Sequence, residues 1–276
     1  MTNRWPAVTK AVVLARGLGT RMRRDDATVA LDDVQAAVAA RGVKAMIPIG
    51  RPFLDYALSA LADAGCTDVC LVIGPEHDEI RDYYTRKSPP ARVRVAFAVQ
   101  QEPRGTADAL LSARDFAAGD RVLMVNSDNY YPPRALAALR GVAGAGLLGF
   151  DRDALIRDGN IEAARVQKYA LLALNADGTL ARIVEKPDAA TVAAMGADAL
   201  VSMNAWVFTP AIFEACRRVK PSARGELELQ DAVRIAVDEL DERFDVVRVA
   251  AGVLDLSSRG DIASVRDRLA GVEARP

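Results

Sequence analysis

The chain has 276 residues, of which 51% are hydrophobic, and this is enough to bury one large α/β core. Its 36 basic and 37 acidic side chains nearly cancel, so we expect neither a nucleic-acid surface nor a patch for anionic membranes. The sequence lacks an apolar stretch of the ~20 residues that a membrane span needs, and the segment MTNRWPAVTK lacks the apolar region of a signal peptide. We therefore predict a cytoplasmic protein without nucleic-acid or membrane partners.

The three cysteines are Cys66, Cys70 and Cys216. Their number is odd, their spacing fits no metal site, and each lies in apolar sequence. We interpret them as buried thiols.

Residues 10–22, KAVVLARGLGTRM, combine a buried strand with a glycine-containing turn. The unbroken apolar run at residues 12–14 is typical of a strand covered on both faces of a parallel sheet. Gly17 and Gly19 would let the backbone turn several N–H groups toward one phosphate, and Arg21 could add a charged donor. A tight turn after a core strand needs glycine even where nothing binds, so this segment alone leaves both interpretations open.

A dinucleotide-binding fingerprint is the nearest alternative for this turn. Its third glycine would fall at Met22, and the acidic residue expected about 20 positions later is replaced by a helix-like segment. The segment GAGLLG at residues 144–149 matches the glycine spacing better, but it lies inside an apolar run and shows no convincing helix start after it. The hypothesis of a nicotinamide-dependent oxidoreductase therefore rests on glycine spacing alone.

The remaining chain alternates strand and helix patterns up to about residue 150. Residues 23–43 look like a short helix laid over a loop, and from residue 161 two strand-like runs surround the hairpin turn NADG at residues 175–178. The other predicted strands are 69–74, 93–99, 121–125, 200–208 and 244–249. The other predicted helices are 53–65, 76–86, 107–116, 132–140, 188–195, 210–219, 229–240 and 258–269.

Polar loops follow three of the predicted strands. They are the glycine turn, the loop QEPRGT at residues 101–106, and the cluster NSDN at residues 126–129. In open α/β sheets, ligands bind beyond the carboxyl ends of the strands, so these loops should border one crevice. Asp128 could merely cap the turn that follows its strand, which is a common use of aspartate, and Asp255 is flanked by apolar residues.

Seven segments carry a resemblance to a known family: LARGLGTRM, KAMIPI, QEPRGTADAL, MVNSDN, IVEKP, RGELELQD and VLDLSSRGD, in that order. Over residues 10–261 the chain resembles the sugar-1-phosphate nucleotidyltransferases, and most of all the glucose-1-phosphate thymidylyl- and uridylyltransferases. The resemblance implies a Rossmann-like three-layer α/β/α fold with a mixed, mainly parallel central sheet and a β-hairpin excursion that binds the sugar. It also implies a single domain at residues 1–276, with a nucleotide half at 10–150, a sugar half at 151–256 and a C-terminal helix at 257–276.

The resemblance implies a role for each matching residue. Nucleotide-binding residues would be Leu14, Ala15, Gly17, Gly19, Thr20, Gln101, Gly105, Thr106 and Asp128, with Gln101 and Gly105 at the base edge. Asp128 and Asp255 would hold Mg²⁺, which prefers carboxylate and phosphate oxygens. The catalytic cations would be Arg21, Lys44 and Lys186, and the sugar phosphate would meet Tyr169, Glu185, Lys186 and Asn204.

The chemistry of such a reaction fits these residue types. A phosphate oxygen that attacks an α-phosphorus brings two anions together, so the site must neutralise charge and enforce an in-line approach. A sugar phosphate is already ionised at pH 7, so a general base is unnecessary, and we interpret the only histidine, His77, as a surface residue. The Gln101 amide offers a donor and an acceptor, which favours a pyrimidine such as that of UTP or dTTP.

Four features depart from the pattern of the family, and two of them are Ala170 and Ala205, which stand where relatives often have glycine and would crowd the sugar side. Arg16 stands where the resemblance leads us to expect a small residue, and the segment at residues 23–43 is longer than expected. The alternative function is therefore an impaired relative that senses a nucleotide sugar, or a nucleotidyltransferase for a non-hexose phosphate. The segment could be a lid, part of the sugar pocket or a contact in a possible homo-oligomer, and we interpret Glu226 and Asp231 as aids to a helix start.

Overall fold

The computed structural model describes residues 5–24, 26, 28–167, 169–185, 187–196 and 198–276. In this part of the chain one mixed sheet of nine strands runs through the molecule, and two small sheets of two strands accompany it. The strands are β1 (Lys10–Leu14), β2 (Pro48–Ile49), β3 (Arg51–Pro52), β4 (Asp68–Ile73), β5 (Arg94–Val99), β6 (Val122–Asn126), β7 (Asn129–Tyr130), β8 (Ala145–Phe150), β9 (Leu171–Leu174), β10 (Leu180–Val184), β11 (Leu200–Phe208), β12 (Phe244–Val249) and β13 (Leu254–Asp255).

Helices connect these strands. They are α1 (Thr20–Arg23), α2 (Asp33–Arg41), α3 (Phe53–Ala64), α4 (Asp78–Asp82), α5 (Thr106–Ser112), α6 (Arg114–Ala117), α7 (Pro133–Arg140), α8 (Arg152–Asp158), α9 (Ala163–Val166), α10 (Ala189–Met195), α11 (Ala211–Arg218), α12 (Leu229–Leu240) and α13 (Asp261–Arg268). A 3₁₀ turn at Lys44–Met46 precedes β2, and a π-helical turn at Tyr83–Lys87 follows α4.

The main sheet is mostly parallel. Strands β6, β1, β4 and β5 lie side by side and parallel, so their carboxyl ends share one edge. Strand β11 runs antiparallel to β6, β8 and β9, and β12 completes the sheet beside β8. The predicted mixed, mainly parallel sheet is therefore confirmed.

Helices cover both faces of the sheet because its central strands are apolar on both sides. Ala11 and Val13 of β1 pack into one buried cluster with α3 and α7, whereas Val12 and Leu14 pack into a second with α5, α11 and α12. Successive side chains of a strand point to opposite faces, so the apolar residues 11–14 contribute to both clusters. This is the predicted three-layer arrangement.

The segment at residues 23–43 contains the predicted short helix, which is α2. Helix α2 begins with a capping box in which the Asp32 carboxylate accepts from Gln35 N–H, and it ends at Gly42, whose φ is 78°. Val38 of α2 is buried against Leu256 and Ile262, in a third cluster that includes α13. The segment is therefore anchored to the C-terminal part of the chain.

Two predictions between residues 144 and 187 need correction. Residues 163–166 were expected to be strand-like, but they form α9. The segment GAGLLG was expected to lack a helix start after it, but all of it except Gly144 lies in the buried strand β8, and Asp151 caps α8 directly after that strand because its carboxylate accepts from Ala154 N–H. The β9/β10 hairpin and its turn, with Gly178 at φ 81°, are confirmed.

The predicted buried thiols are confirmed, since all three cysteines are free and buried. Burial raises the pKa of Cys70 and of Cys216 to about 12. Within the described ranges, no helix has the length and apolar character required to cross a bilayer. The cytoplasmic location stays a prediction.

Candidate active site

A cleft of about 420 Å³ opens at the carboxyl ends of β1, β5 and β6. The three polar loops that follow these strands border it, as the sequence predicted. Its lining is Leu14, Ala15, Arg16, Gly17, Leu18, Gly19, Thr20, Arg21, Val43, Lys44, Ala45, His77, Gln100, Pro103, Gly105, Thr106, Ala109, Asn126, Ser127, Asp128 and Glu226. Ten of the predicted site residues are among these: Leu14, Ala15, Gly17, Gly19, Thr20, Arg21, Lys44, Gly105, Thr106 and Asp128.

The two glycines of the first loop have different surroundings. A Cβ on Gly17 would meet nothing within 4 Å, so the backbone there borders open space, and Gly17 lines the cleft. Gly19 has φ 59°, and a Cβ there would lie 2.1 Å from the carbonyl oxygen of Gly42. Gly19 is therefore required by close packing against the end of α2, and the Gly42 carbonyl in turn accepts from Lys44 N–H at 3.0 Å.

Lys44 and Asp128 form an ion pair inside the cleft. The distance from Lys44 Nζ to Asp128 Oδ2 is 2.5 Å, and only 15% and 22% of the two side chains is exposed. Arg21 lies beside them and donates to the Ser257 hydroxyl at 3.2 Å. Of these two predicted catalytic cations, Lys44 contacts the predicted metal ligand Asp128 directly, and Arg21 lines the same cleft.

Asp255 is buried close to Asp128. The Leu256 N–H donates to the Asp128 carbonyl at 2.8 Å, and β13 pairs with β7, so the two segments are neighbours. The carboxylate of Asp255 accepts from Arg165 Nη2 at 2.7 Å and from the Tyr169 hydroxyl at 2.8 Å. Burial, and next the charge of Asp128, raise the pKa of Asp255.

This donor set fits a hard divalent cation. Among the described residues there is no group of three or more His, Cys, Asp or Glu side chains that would cage a metal by protein alone. Mg²⁺ is commonly held by one or two carboxylates together with substrate phosphates, and Asp128 and Asp255 supply two. A cation between these carboxylates would also offset the repulsion that raises the pKa of Asp255.

The loop QEPRGT meets the cleft differently from our prediction. Gln101 is exposed and does not line the cleft, whereas its neighbour Gln100 is buried, lines it, and donates to Gly105 O at 3.0 Å and to Asp108 at 2.8 Å. Strand β5 ends at Val99, so Gln100 is the first residue beyond the strand. The rule that ligands bind beyond the carboxyl ends of strands therefore applies to Gln100 rather than to Gln101.

Gly105 and Thr106 join this loop to the start of α12. Gly105 has φ 121°, and a Cβ there would lie 2.4 Å from the carbonyl oxygen of Leu227. The Thr106 hydroxyl accepts from Leu229 N–H at 3.0 Å, so it satisfies a donor at the beginning of α12. Gly105 and Thr106 therefore also hold this loop against the start of α12, in addition to lining the cleft.

The predicted sugar-side residues lie outside the lining of this cleft. Tyr169 contacts Asp255, and Glu185 is an exposed residue directly after β10. Asn204 has φ 58° and lies where the pairing of β11 with β8 shifts register. Lys186 lies outside the described residues.

Three further residues behave differently from the sequence interpretation. His77 was expected on the surface, but it is buried, it lines the cleft, and its Nδ1 accepts from Gly74 N–H at 3.1 Å. Glu226 lines the cleft and does not cap α12, whereas Asp231 does lie in the first turn of that helix. Arg165 was missed, because a lone arginine in a segment predicted to be strand-like carries no recognisable signal.

Comparisons with known proteins agree with this architecture. The family model described as nucleotidyl transferase matches residues 10–256. A UTP--glucose-1-phosphate uridylyltransferase, AglF of Haloferax volcanii, is 28% identical over 262 residues, which cover 94% of this chain and 96% of that protein. A glucose-1-phosphate thymidylyltransferase of Streptomyces griseus is 31% identical over 233 residues, covering 83% of this chain and 57% of that protein.

A crystal structure of UDP-glucose pyrophosphorylase complexed with UDP-glucose shares the fold. It superimposes with a TM-score of 0.73 at 18% identity, over 96% of this chain and 100% of that one. The family match spans nearly the whole sheet and includes both buried carboxylates, Asp128 and Asp255. The chain belongs to the nucleotidyl transferase family.

Proposed function

We propose that this protein transfers a nucleoside monophosphate from a nucleoside triphosphate to a sugar 1-phosphate and releases pyrophosphate, with Mg²⁺ as cofactor and UTP or dTTP as the favoured nucleotide. The observation that carries the proposal is the Lys44 to Asp128 pair, with Asp255 beside it, at the carboxyl ends of β1 and β6. The names of the relatives support the reaction class, and the uridylyl- and thymidylyltransferases among them support a pyrimidine.

The triphosphate would lie along the first glycine loop. The open space over Gly17 accommodates a phosphate, and Arg21 and Lys44 neutralise its charge, as two cations at a converging site can do. Asp128 and Asp255 would hold Mg²⁺, which supplies charge neutralisation between the phosphates of the substrate. Lys186 stays a predicted ligand of the sugar phosphate.

The reaction requires no general base from the protein. The attacking phosphate oxygen is already ionised near pH 7, because the second pKa of a phosphate monoester is about 6. The one histidine of the chain is already engaged, since its Nδ1 accepts from Gly74 N–H. Catalysis by this chain would thus consist of orientation and charge neutralisation.

A second candidate function is a sensor that binds a nucleotide sugar without turnover. The observation that favours it is Arg16, whose large cationic side chain lines the cleft. If this side chain blocks productive binding, the protein binds product but releases no pyrophosphate. Replacing Arg16 with alanine would then restore activity.

The test combines thermal stabilisation and pyrophosphate release. The protein with Mg²⁺ is assayed with ATP, GTP, CTP, UTP and dTTP, and then with a panel of sugar 1-phosphates. We expect stabilisation by UTP or dTTP and pyrophosphate release with at least one sugar phosphate, and the D128N variant serves as the inactive control. Stabilisation without turnover across the whole panel would favour the sensor, and absence of both would contradict the transferase.

A further inference from the structure

The side chain of Arg16 is unusual in the cleft, because it is buried but poorly satisfied. Only 7% of it is exposed. Its Nε and Nη2 each lie 3.4 Å from an oxygen of Glu76, which is long for a charged hydrogen bond. Its Nη1 is buried and has no acceptor among the described residues. A buried N–H group without an acceptor is unfavourable, so the side chain would gain from an acceptor brought by a ligand.

The position of Arg16 along the sheet edge indicates which part of a nucleotide it would meet. The strand order is β6, β1, β4, β5, and Asp128 follows β6 at one side of β1. Arg16 leans to the other side, where Glu76 follows β4 and Gln100 follows β5. The phosphates belong with Lys44 and Asp128, so the opposite end of the cleft is left for the base.

We propose that Arg16 determines base specificity, by donating a hydrogen bond from Nη1 to the keto oxygen at position 4 of a uracil or thymine base. This inference rests on the proposed function of the cleft. An arginine has only donors, so it pairs with a keto oxygen and cannot pair with the amino group that cytosine carries at the same position. Glu76, half exposed at the end of β4, holds the guanidinium in place from the outside.

Discrimination follows from this geometry. With UTP or dTTP, the orphan donor gains an acceptor. With CTP, two donors face each other in a largely buried site, and neither is satisfied. Arg16 therefore selects against the amino base as well as for the keto base.

The experiment measures kcat/KM for UTP and for CTP, with the best sugar 1-phosphate, in the wild type and in R16A and R16K. We expect the UTP to CTP preference to fall by roughly 10- to 100-fold in both variants, as for the loss of a charge-assisted hydrogen bond. Lysine keeps the charge and can donate, but its donors sit on one nitrogen at the end of a flexible stem, so R16K tests whether the fixed fork of the guanidinium is required. The matched control is R41A, because Arg41 pairs with Glu79 at 2.9 Å and does not line the cleft. It should leave the preference unchanged.

Each other outcome overturns the proposal. An equal loss with UTP, dTTP, CTP, ATP and GTP would mean that Arg16 contacts phosphate. A gain of activity in R16A would mean that Arg16 blocks the cleft. An unchanged preference with a lower Tm would mean a purely structural role. If the wild type binds nucleotides without turnover, the proposed function fails, and the ratio of calorimetric Kd values for UTP and CTP then tests Arg16 by the same criteria.

Discussion

Asp55 and Asp255 are both buried, and both accept hydrogen bonds from an arginine and from tyrosine, yet their surroundings differ. Asp55 lies in α3, and its carboxylate accepts from Arg51 at 2.6 Å, from Tyr84 at 2.8 Å and from Tyr83 at 3.1 Å. No second carboxylate takes part in this cluster as it is described. Asp55 therefore serves to join α3 to the π-helical turn that follows α4.

Asp255 has the same kinds of partners and one addition. Arg165 and Tyr169 donate to it, but the charge of Asp128 acts on it as well, and together with burial it raises the pKa of Asp255. Arginine and tyrosine thus provide hydrogen bonds to both aspartates, but only Asp255 is described with a second carboxylate whose negative charge repels its own. This difference supports the proposal that Asp128 and Asp255 together form a cation site, because burial alone does not distinguish Asp255 from Asp55.

The largest expected effect separates the two aspartates by activity. D255N and D128N should each lower kcat/KM by about 100-fold or more, which corresponds to ~3 kcal/mol or more of transition-state stabilisation. D55N is the matched control, because it replaces a buried carboxylate whose described partners are Arg51, Tyr83 and Tyr84 rather than residues of the predicted site. Activity is measured per folded molecule as pyrophosphate release. Full activity of D255N, or inactivity of correctly folded D55N, would contradict the separate roles of the two aspartates.

The second prediction separates the same residues by stability. D55N should lower the free energy of unfolding by roughly 2–3 kcal/mol, because an amide must place its NH₂ group where a carboxylate oxygen accepted from arginine or tyrosine. D255N should lower it less in the presence of EDTA, since neutralising Asp255 also removes its repulsion with Asp128. Urea unfolding measures both variants. Equal losses would mean that Asp128 does not strain Asp255.

The tyrosines that donate to the two aspartates allow the same comparison with a smaller expected effect. Y84F removes a hydroxyl from Asp55, and Y169F removes one from Asp255. Each should lower stability by about 1 kcal/mol, the typical net value of one hydrogen bond. Only Y169F should also reduce kcat/KM for the sugar 1-phosphate, by roughly 5- to 10-fold, because Asp255 then loses a group that orients it. A comparable activity loss in Y84F would contradict the separate roles.

The sequence predicted most of the fold because its strands and long helices carry strong periodic patterns. Strand β11 and helix α12 begin and end where the patterns begin and end. The exceptions are local: α9 is a single turn of four residues whose pattern cannot be distinguished from a strand, and the Asp151 cap of α8 follows an apolar run without a break. Patterns of apolar residues contain little information about such short elements.

The site was predicted less completely than the fold. The loops and their order were correct, since the carboxyl ends of parallel strands must meet at one edge. The glutamine that lines the cleft is Gln100, one residue before the predicted Gln101. Which of the two enters the cleft depends on where β5 ends, and the ends of strands are the least reliable part of a prediction from sequence. The contacts of Arg165 with Asp255 join segments 90 residues apart, and one sequence contains no signal for such a pairing.

His77 is a buried group of a different kind. Its Nε2 lies 4.0 Å from a carboxylate oxygen of Glu76, which is too long for a normal hydrogen bond. Burial, which outweighs the opposing charge of Glu76, lowers the pKa of His77 from its ordinary value of 6.5. In the unfolded chain the imidazole takes up a proton near pH 6.5, and in the folded chain it does so only at lower pH. The stability that the neutral ring contributes is therefore fully present above pH 6.5 and is lost as pH falls through the folded pKa.

The variant H77N isolates this small effect, because an asparagine oxygen can still accept from Gly74 N–H but does not titrate. Between pH 8 and pH 6.5 the difference in unfolding free energy between wild type and H77N should be constant. Below pH 6.5 the wild type should lose stability relative to H77N, with a slope of at most about 1.4 kcal/mol per pH unit. Urea unfolding at matched ionic strength measures the difference. A wild type that gained stability relative to H77N as pH fell would mean that Glu76 outweighs burial, and His77 would then resemble the ionic partners of Asp255.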